Sequence, residues 1–122
     1  MEVIKNGSVP EDDATNAPLF YGGPVSRQPL VAGGKSANFN FSLVNFYDGA
    51  KNKFHSHTSD QILFVTKGEG IVANESEEIG ISAGDTAFIP AGEKHWHGAA
   101  DGHDFTHISL TGADSQTTQY DD

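Results

Sequence analysis

All six histidines of this 122-residue chain fall between positions 55 and 107, and four of them form two His-x-His pairs, His55/His57 and His95/His97. In an extended strand alternate side chains point to opposite faces, so each pair turns both imidazoles to one side. Gln61 follows the first pair across Thr58-Ser59-Asp60 and places a carboxamide oxygen at the start of the next strand. The chain has no cysteine, which excludes thiolate ligands and disulfides together. A metal would therefore be held by imidazole, amide or carboxylate groups, a donor set that suits Mn, Fe, Ni, Co or Zn. His107, between Thr106 and Ile108 in an apolar segment, is a further inward candidate. His103 lies in the polar stretch AADGHD and reads as a solvated bystander.

The elements that must position these groups are strands. Fourteen glycines, five prolines and eight phenylalanines point to many turns around an aromatic core, an all-β composition in one domain. Residues 1–18 are polar and read as an N-terminal arm, 19–112 as a barrel, and 113–122 as a mobile acidic tail. Two short edge strands are expected around Gly22-Gly23-Pro24. Phe39, Phe41 and Leu43 alternate with Asn40, Ser42 and Val44, giving a strand with one apolar and one mixed face. The run QILFVT at 61–66 predicts a strand covered on both faces, with Lys67-Gly68-Glu69-Gly70 closing a hairpin. Eight to ten short strands at even spacing, and no amphipathic helix, suggest a closed or double-sheet antiparallel barrel.

Seven basic and seventeen acidic residues give a formal charge of −10, and Arg27 is the sole arginine. A phosphate backbone or an anionic bilayer would be repelled, so neither nucleic acid nor membrane is an expected partner. No window approaches a membrane span and the N-terminus lacks an apolar signal region, so a cytoplasmic location is expected.

Two spacings carry a family resemblance. Gly49-x5-His55-x-His57-x3-Gln61-x6-Gly68 and Gly84-x5-Pro90-x-Gly92-x2-His95 resemble the two cupin motifs, with Gln61 in place of the usual acidic ligand and Ala99 where Asn often ends the second motif. The resemblance implies a cupin double-stranded β-helix (jelly-roll barrel) with a metal on His55, His57, Gln61 and His95. The stretches GDTAFIPAGEKHWHGAA, FTHISL and FYGGPVSRQPL look like a subgroup of small single-domain cupins that includes manganese-dependent hydroxynitrile lyases. That likeness implies manganese as the divalent ion, His97 and His107 beside it as proton-transfer groups, and Ser42, Val44 and Asn52 as substrate contacts. Asn52 stands where those lyases tend to carry Thr.

Three neutral imidazoles and one neutral amide would leave the full charge of a divalent ion on the metal, favouring a Lewis-acid role. The expected function is a metal-dependent lyase acting on a small molecule. The competing expectations are an Fe(II) cupin dioxygenase and a non-catalytic small-ligand binder. Because residues 36–47 are apolar on both faces, one face needs cover from the arm or a second subunit, and the cupin resemblance favours a homodimer.

Overall fold

The computed structural model describes residues 1–121 and, among these, contains strands and no helix. The twelve strands are β1 (Asp12–Asp13), β2 (Phe20–Tyr21), β3 (Val25–Val31), β4 (Phe39–Phe46), β5 (Lys51–Asn52), β6 (His55–His57), β7 (Gln61–Asn74), β8 (Glu78–Ser82), β9 (Thr86–Ile89), β10 (His95–Ala99), β11 (Phe105–Gly112) and β12 (Thr117–Gln119). Every pairing is antiparallel. One face of the fold runs β1-β3-β4-β11 onto the first half of β7, with β9 on its far edge. The other runs from β8 through the second half of β7 to β10, which pairs with β5 and β6; these in turn carry β2 and β12. The all-β jelly-roll expectation is met.

The segment 67–70 does not close a hairpin. β7 continues through it and crosses from one face of the fold to the other: Gly68 still pairs with Phe105, and from Glu69 onwards the partner is β8. Gly68 sits at φ 81°, and a Cβ there would collide with the Asp104 carbonyl, so the residue bends the strand rather than reversing it. Turn-forming composition misleads here because the same conformational freedom serves a bend and a reversal.

The core lies between the two faces. Phe46, Phe105, Leu63, Val25 and Val65 are all but fully buried. Phe46 packs edge-on against Phe20 at 5.9 Å and against Phe105 at 6.0 Å between ring centroids. On β4 the mixed face, Ser42, Val44 and Phe46, points inward, while Phe39, Phe41 and Leu43 lie on the outer face. Asn45, also on the outer face, is buried in a polar network, donating to Gln28 Oε1 (2.9 Å) and accepting from Thr106 Oγ1 (2.8 Å).

β7 is not covered on both faces. Gln61, Leu63 and Val65 are buried, whereas Ile62 and Phe64 are exposed in the single chain. Register explains where they go: Val31, Phe41, Leu110, Ile62 and Phe88 line up across five strands, with Leu43, Ile108 and Phe64 in the next row. Both terminal segments also pair with the rest of the fold. Within the arm, Asp12 and Asp13 pair with Arg27 and Ser26, and the Glu11 carboxylate accepts from the hydroxyls of Ser26 and Tyr47. The stretch expected to be a mobile tail contains β12, whose Thr117, Thr118 and Gln119 pair with His57, Ser56 and His55; its last residue, Asp122, lies outside the described residues. Among the described residues no helix is long and apolar enough to cross a membrane.

Candidate metal centre

The two His-x-His pairs meet because their strands are neighbours, with His55 directly opposite His95 in the β6–β10 ladder. The His55 and His95 rings lie 4.2 Å apart between centroids, His55 and His57 5.0 Å, and His57 and His95 5.5 Å. Gln61 reaches them from the opposite face of the fold, its Oε1 3.1 Å from His95 Nε2. Of the four residues expected to hold a metal, His55, His95 and Gln61 are thus brought together, with the His57 ring beside them.

Hydrogen bonds on the far side of each ring set the inward atom. His55 Nδ1 donates to the Lys53 carbonyl at 2.7 Å and His95 Nδ1 to the Glu93 carbonyl at 2.8 Å. In both cases the acceptor is two residues upstream, and the proton on Nδ1 leaves Nε2 as a lone pair. Gln61 Nε2 donates to Ser109 Oγ at 3.0 Å, which turns Oε1 toward the histidines. His95 Nε2 and Gln61 Oε1 are then two acceptors facing each other, an arrangement that a shared cation relieves. His57 Nε2 is buried and has no hydrogen bond of good geometry among the described residues. A proton on these rings is disfavoured. Burial first, then the neighbouring imidazoles, pushes His55 down to about 3 and His57 to about 4, and burial pushes His95 down as well. Neutral rings with inward lone pairs are what a divalent ion requires, so the residues present fit the metal.

His97 is closer to this centre than a proton-transfer role alone requires. His55, His95 and His97 each offer a ring nitrogen, and these three atoms all lie within 4.8 Å of one another, close enough to share a metal ion. His97 is held from below by Phe46, 5.8 Å away and nearly perpendicular, and beside it by Asn52. Asn52 Oδ1 accepts from the His97 backbone N–H at 2.8 Å, and its Nδ2 lies 3.3 Å from His97 Nε2. His107 packs 4.8 Å from His97 and 5.7 Å from Phe46. Its Nδ1 donates to the Ile108 carbonyl at 3.1 Å and its buried Nε2 has no partner. Burial pushes His107 down to about 4, and pushes His97 well below the ordinary histidine range. His103 lies in the 100–104 loop, exposed and apart from the site.

A cavity of about 130 Å³ opens onto this cluster, lined by His55, His57, Gln61, His97, His107 and Asn52 among others. A second, about 360 Å³, lies outside it. Val44 lines both and Ser42 only the outer one. Asn52 borders the inner cavity, but its carboxamide is already engaged with His97. Three site residues carry no signal in the histidine spacing: Ser109, which orients Gln61; Thr117, whose Oγ1 lies 2.9 Å from His57 Nδ1; and Arg27, which lines both cavities. Only Arg27 had a sequence cue, as the sole arginine.

Comparison with known proteins agrees with the geometry. Residues 42–109 match the family model described as a cupin domain. Over 92 residues the chain is 35% identical to an (R)-mandelonitrile lyase of Granulicella tundricola, covering 75% of this chain and 70% of that protein. It is 36% identical over 78 residues to an acireductone dioxygenase of a Sulfurihydrogenibium species, spanning 61% of this chain and 41% of the dioxygenase. Among solved structures, a cupin-like protein of Thermotoga maritima superposes with a TM-score of 0.80 at 27% identity, covering 98% of this chain and 89% of that one.

Proposed function

The chain belongs to the cupin domain family, and from that premise we propose that it is a metal-dependent lyase for a small molecule, making or breaking a carbon–carbon bond beside an oxygen-bearing carbon as in the release of cyanide from a cyanohydrin. The observation that carries this reading is the presence, in the lining of one small cavity, of three of the four expected donors, His55, His57 and Gln61, together with His107, whose Nε2 has no hydrogen-bond partner among the described residues. Similarity to a mandelonitrile lyase over three-quarters of the chain supports the reaction class.

His55, His57, Gln61 and His95 would hold the ion, with manganese our assignment. Bound there, a divalent metal supplies Lewis acidity and lowers the proton affinity of the substrate oxygen. His107 then takes the hydroxyl proton at Nε2, its Nδ1–H staying on the Ile108 carbonyl. The carbon–cyanide bond breaks with its electron pair leaving on cyanide, and the hydroxyl-bearing carbon becomes a carbonyl. The proton passes from the imidazolium to cyanide, directly or through His97, and hydrogen cyanide departs. Val44 and Asn52 bound the space beside the reacting carbon and Ser42 contacts the part of the substrate that extends outward. Phe46 supports both histidine rings and keeps water from beneath them.

The same reading carries two further assignments: a cytoplasmic location, and a homodimer whose subunits cover each other's apolar outer face. The similarity to acireductone dioxygenases gives an Fe(II) oxygenase as the second reading, over 41% of one such protein's length and 33% of another's. Metal analysis of freshly purified protein, together with mandelonitrile turnover and oxygen uptake, separates the two. Stoichiometric metal with anaerobic cyanide release upholds the lyase, and oxygen uptake without cyanide release replaces it with the oxygenase. A His107→Ala protein that keeps its metal should lose at least about 100-fold in turnover; full turnover removes His107 from the mechanism.

A further inference from the structure

Arg27 stands out as the only Lys or Arg among the residues that line the two cavities. Seventeen Asp and Glu side chains surround seven basic ones, yet among the described residues no ion pair within 4.0 Å involves Arg27. Its neighbours across the ladders are Asp12 on β1 and Val44 on β4. The guanidinium is held instead over the ring of Phe20, 5.1 Å from its centroid. A contact of this kind leaves the N–H donors of the guanidinium unused.

That fork is at the junction of the two cavities. Arg27 is one of five residues that line both, with Val44, His57, Ser109 and Thr117. Neither lining contains an Asp or a Glu, and the histidines inside are held neutral. Among the described residues the lining of the passage to the metal centre therefore contains one positive charge and no negative one, in a chain of charge −10. An unpaired, stacked guanidinium with free donors at the neck of a small cavity is built to take a planar two-oxygen anion, which it can bind bidentately. A phosphoryl group would call for several cations, and the neck has one.

We propose that Arg27 is the anion-recognition group of this pocket and that the substrate is a small hydroxy- or oxo-carboxylate. Its carboxylate sits on Arg27 at the neck and its hydroxyl or carbonyl oxygen points to the histidine cluster, a placement that rests on the inner cavity being the lyase site. The inner volume, well below that of a drug-sized pocket, admits the reacting head of such a molecule, and the outer cavity takes the remainder. The neutral cyanohydrin then serves as a partial substrate that leaves Arg27 unused.

The test is equilibrium binding by calorimetry on manganese-loaded protein, with lactate and its neutral isostere lactamide as probes. Wild type should bind lactate at least about ten-fold more tightly than lactamide. Arg27→Gln should lose about ten-fold or more for lactate while changing less than about two-fold for lactamide, and Arg27→Lys, which keeps the charge but loses the two-donor fork, should bind lactate with an affinity between those of wild type and Arg27→Gln. Metal contributes equally to wild type and variant, so the difference between them reports Arg27 alone. Three results would overturn the proposal: no lactate binding by wild type, equal lactate affinity in Arg27→Gln, or an equal loss for both probes, which would make Arg27 a support for Phe20 only. Failure of the lyase reading is separable, because wild type inert toward mandelonitrile would leave the affinity pattern intact, whereas an Arg27→Gln protein that binds lactate like wild type would leave mandelonitrile turnover intact.

Discussion

His57 and Thr117 face each other across the β6–β12 ladder, and the Thr117 hydroxyl oxygen lies 2.9 Å from His57 Nδ1. A residue near the C-terminus thus holds the outer nitrogen of the His57 ring, as backbone carbonyls hold those of His55 and His95. A carbonyl only accepts, whereas the Thr117 hydroxyl can accept from Nδ1–H or donate to Nδ1; in the first case His57 Nε2 is left as a lone pair for a metal. Replacing Thr117 by Val keeps the shape and removes the hydroxyl. Metal affinity, measured by chelator competition, should fall by about ten-fold to 100-fold, and Thr117→Ser should restore most of it. Unchanged affinity in Thr117→Val would show that the hydroxyl plays no part in holding the ring.

The charge on the donor set gives a second expectation. Gln61→Glu puts a carboxylate where the carboxamide oxygen now faces His95 Nε2 at 3.1 Å. The metal should be retained at full stoichiometry, because an anionic oxygen is a better ligand than an amide oxygen. Cyanohydrin turnover should drop by about ten-fold or more, since the added charge cancels part of the Lewis acidity. Unaltered kinetics at full occupancy would remove ligand charge as the determinant.

Both variants touch the boundary between what the sequence discloses and what it hides. The expected ligands His55, His57 and Gln61 are legible because they are local, two residues on one face of one strand, a short loop, then the start of the next, and His95 is legible from its own His-x-His pair. Ser109, Thr117 and Arg27 are illegible because they arrive through long-range ladders, β11 on β7, β12 on β6 and β3 on β4. The misplaced hairpin at 67–70 and the tail read as mobile have a related cause. Local composition reports what the chain can do at a point, and pairing with a distant strand decides what it does. His97 shows the limit from the other side: its sequence position predicts the cavity, and its 4.8 Å relation to the His55 and His95 nitrogens emerges only in three dimensions.

Burial of neutral histidines makes the metal-free protein sensitive to acid. His107 is held at about 4 by burial against an ordinary value of 6.5. The unfolded chain therefore binds more protons than the folded one as pH falls from about 6.5 toward 4, and stability declines through that window. Above about 6.5 both states are neutral and the effect vanishes; below about 4 the loss is complete, on the order of 3 kcal/mol for this residue alone. Urea titrations of chelated protein should show the midpoint dropping between pH 6.5 and 4. In His107→Phe protein the drop should be visibly shallower; an identical pH profile in that variant would show that another group governs the transition.

The outer face bears on assembly. Phe88, Phe64 and Ile62 are 61%, 41% and 37% exposed in the single chain, and register places them beside Leu110, Phe41, Ile108 and Leu43 in a patch spanning five strands. Aromatic side chains of this kind bury roughly 150–250 Å² each, so two such faces apposed around a two-fold axis would reach the area that stable dimers require. The expected outcome is a dimer by sedimentation at micromolar concentration, with Phe64→Glu combined with Phe88→Glu giving a folded monomer. Neither side chain lines the inner cavity of His55, His57 and Gln61, so that monomer should keep its metal. A wild-type monomer at these concentrations would assign the patch to some other partner, and a double variant that still dimerises would place the interface on a different face of the barrel.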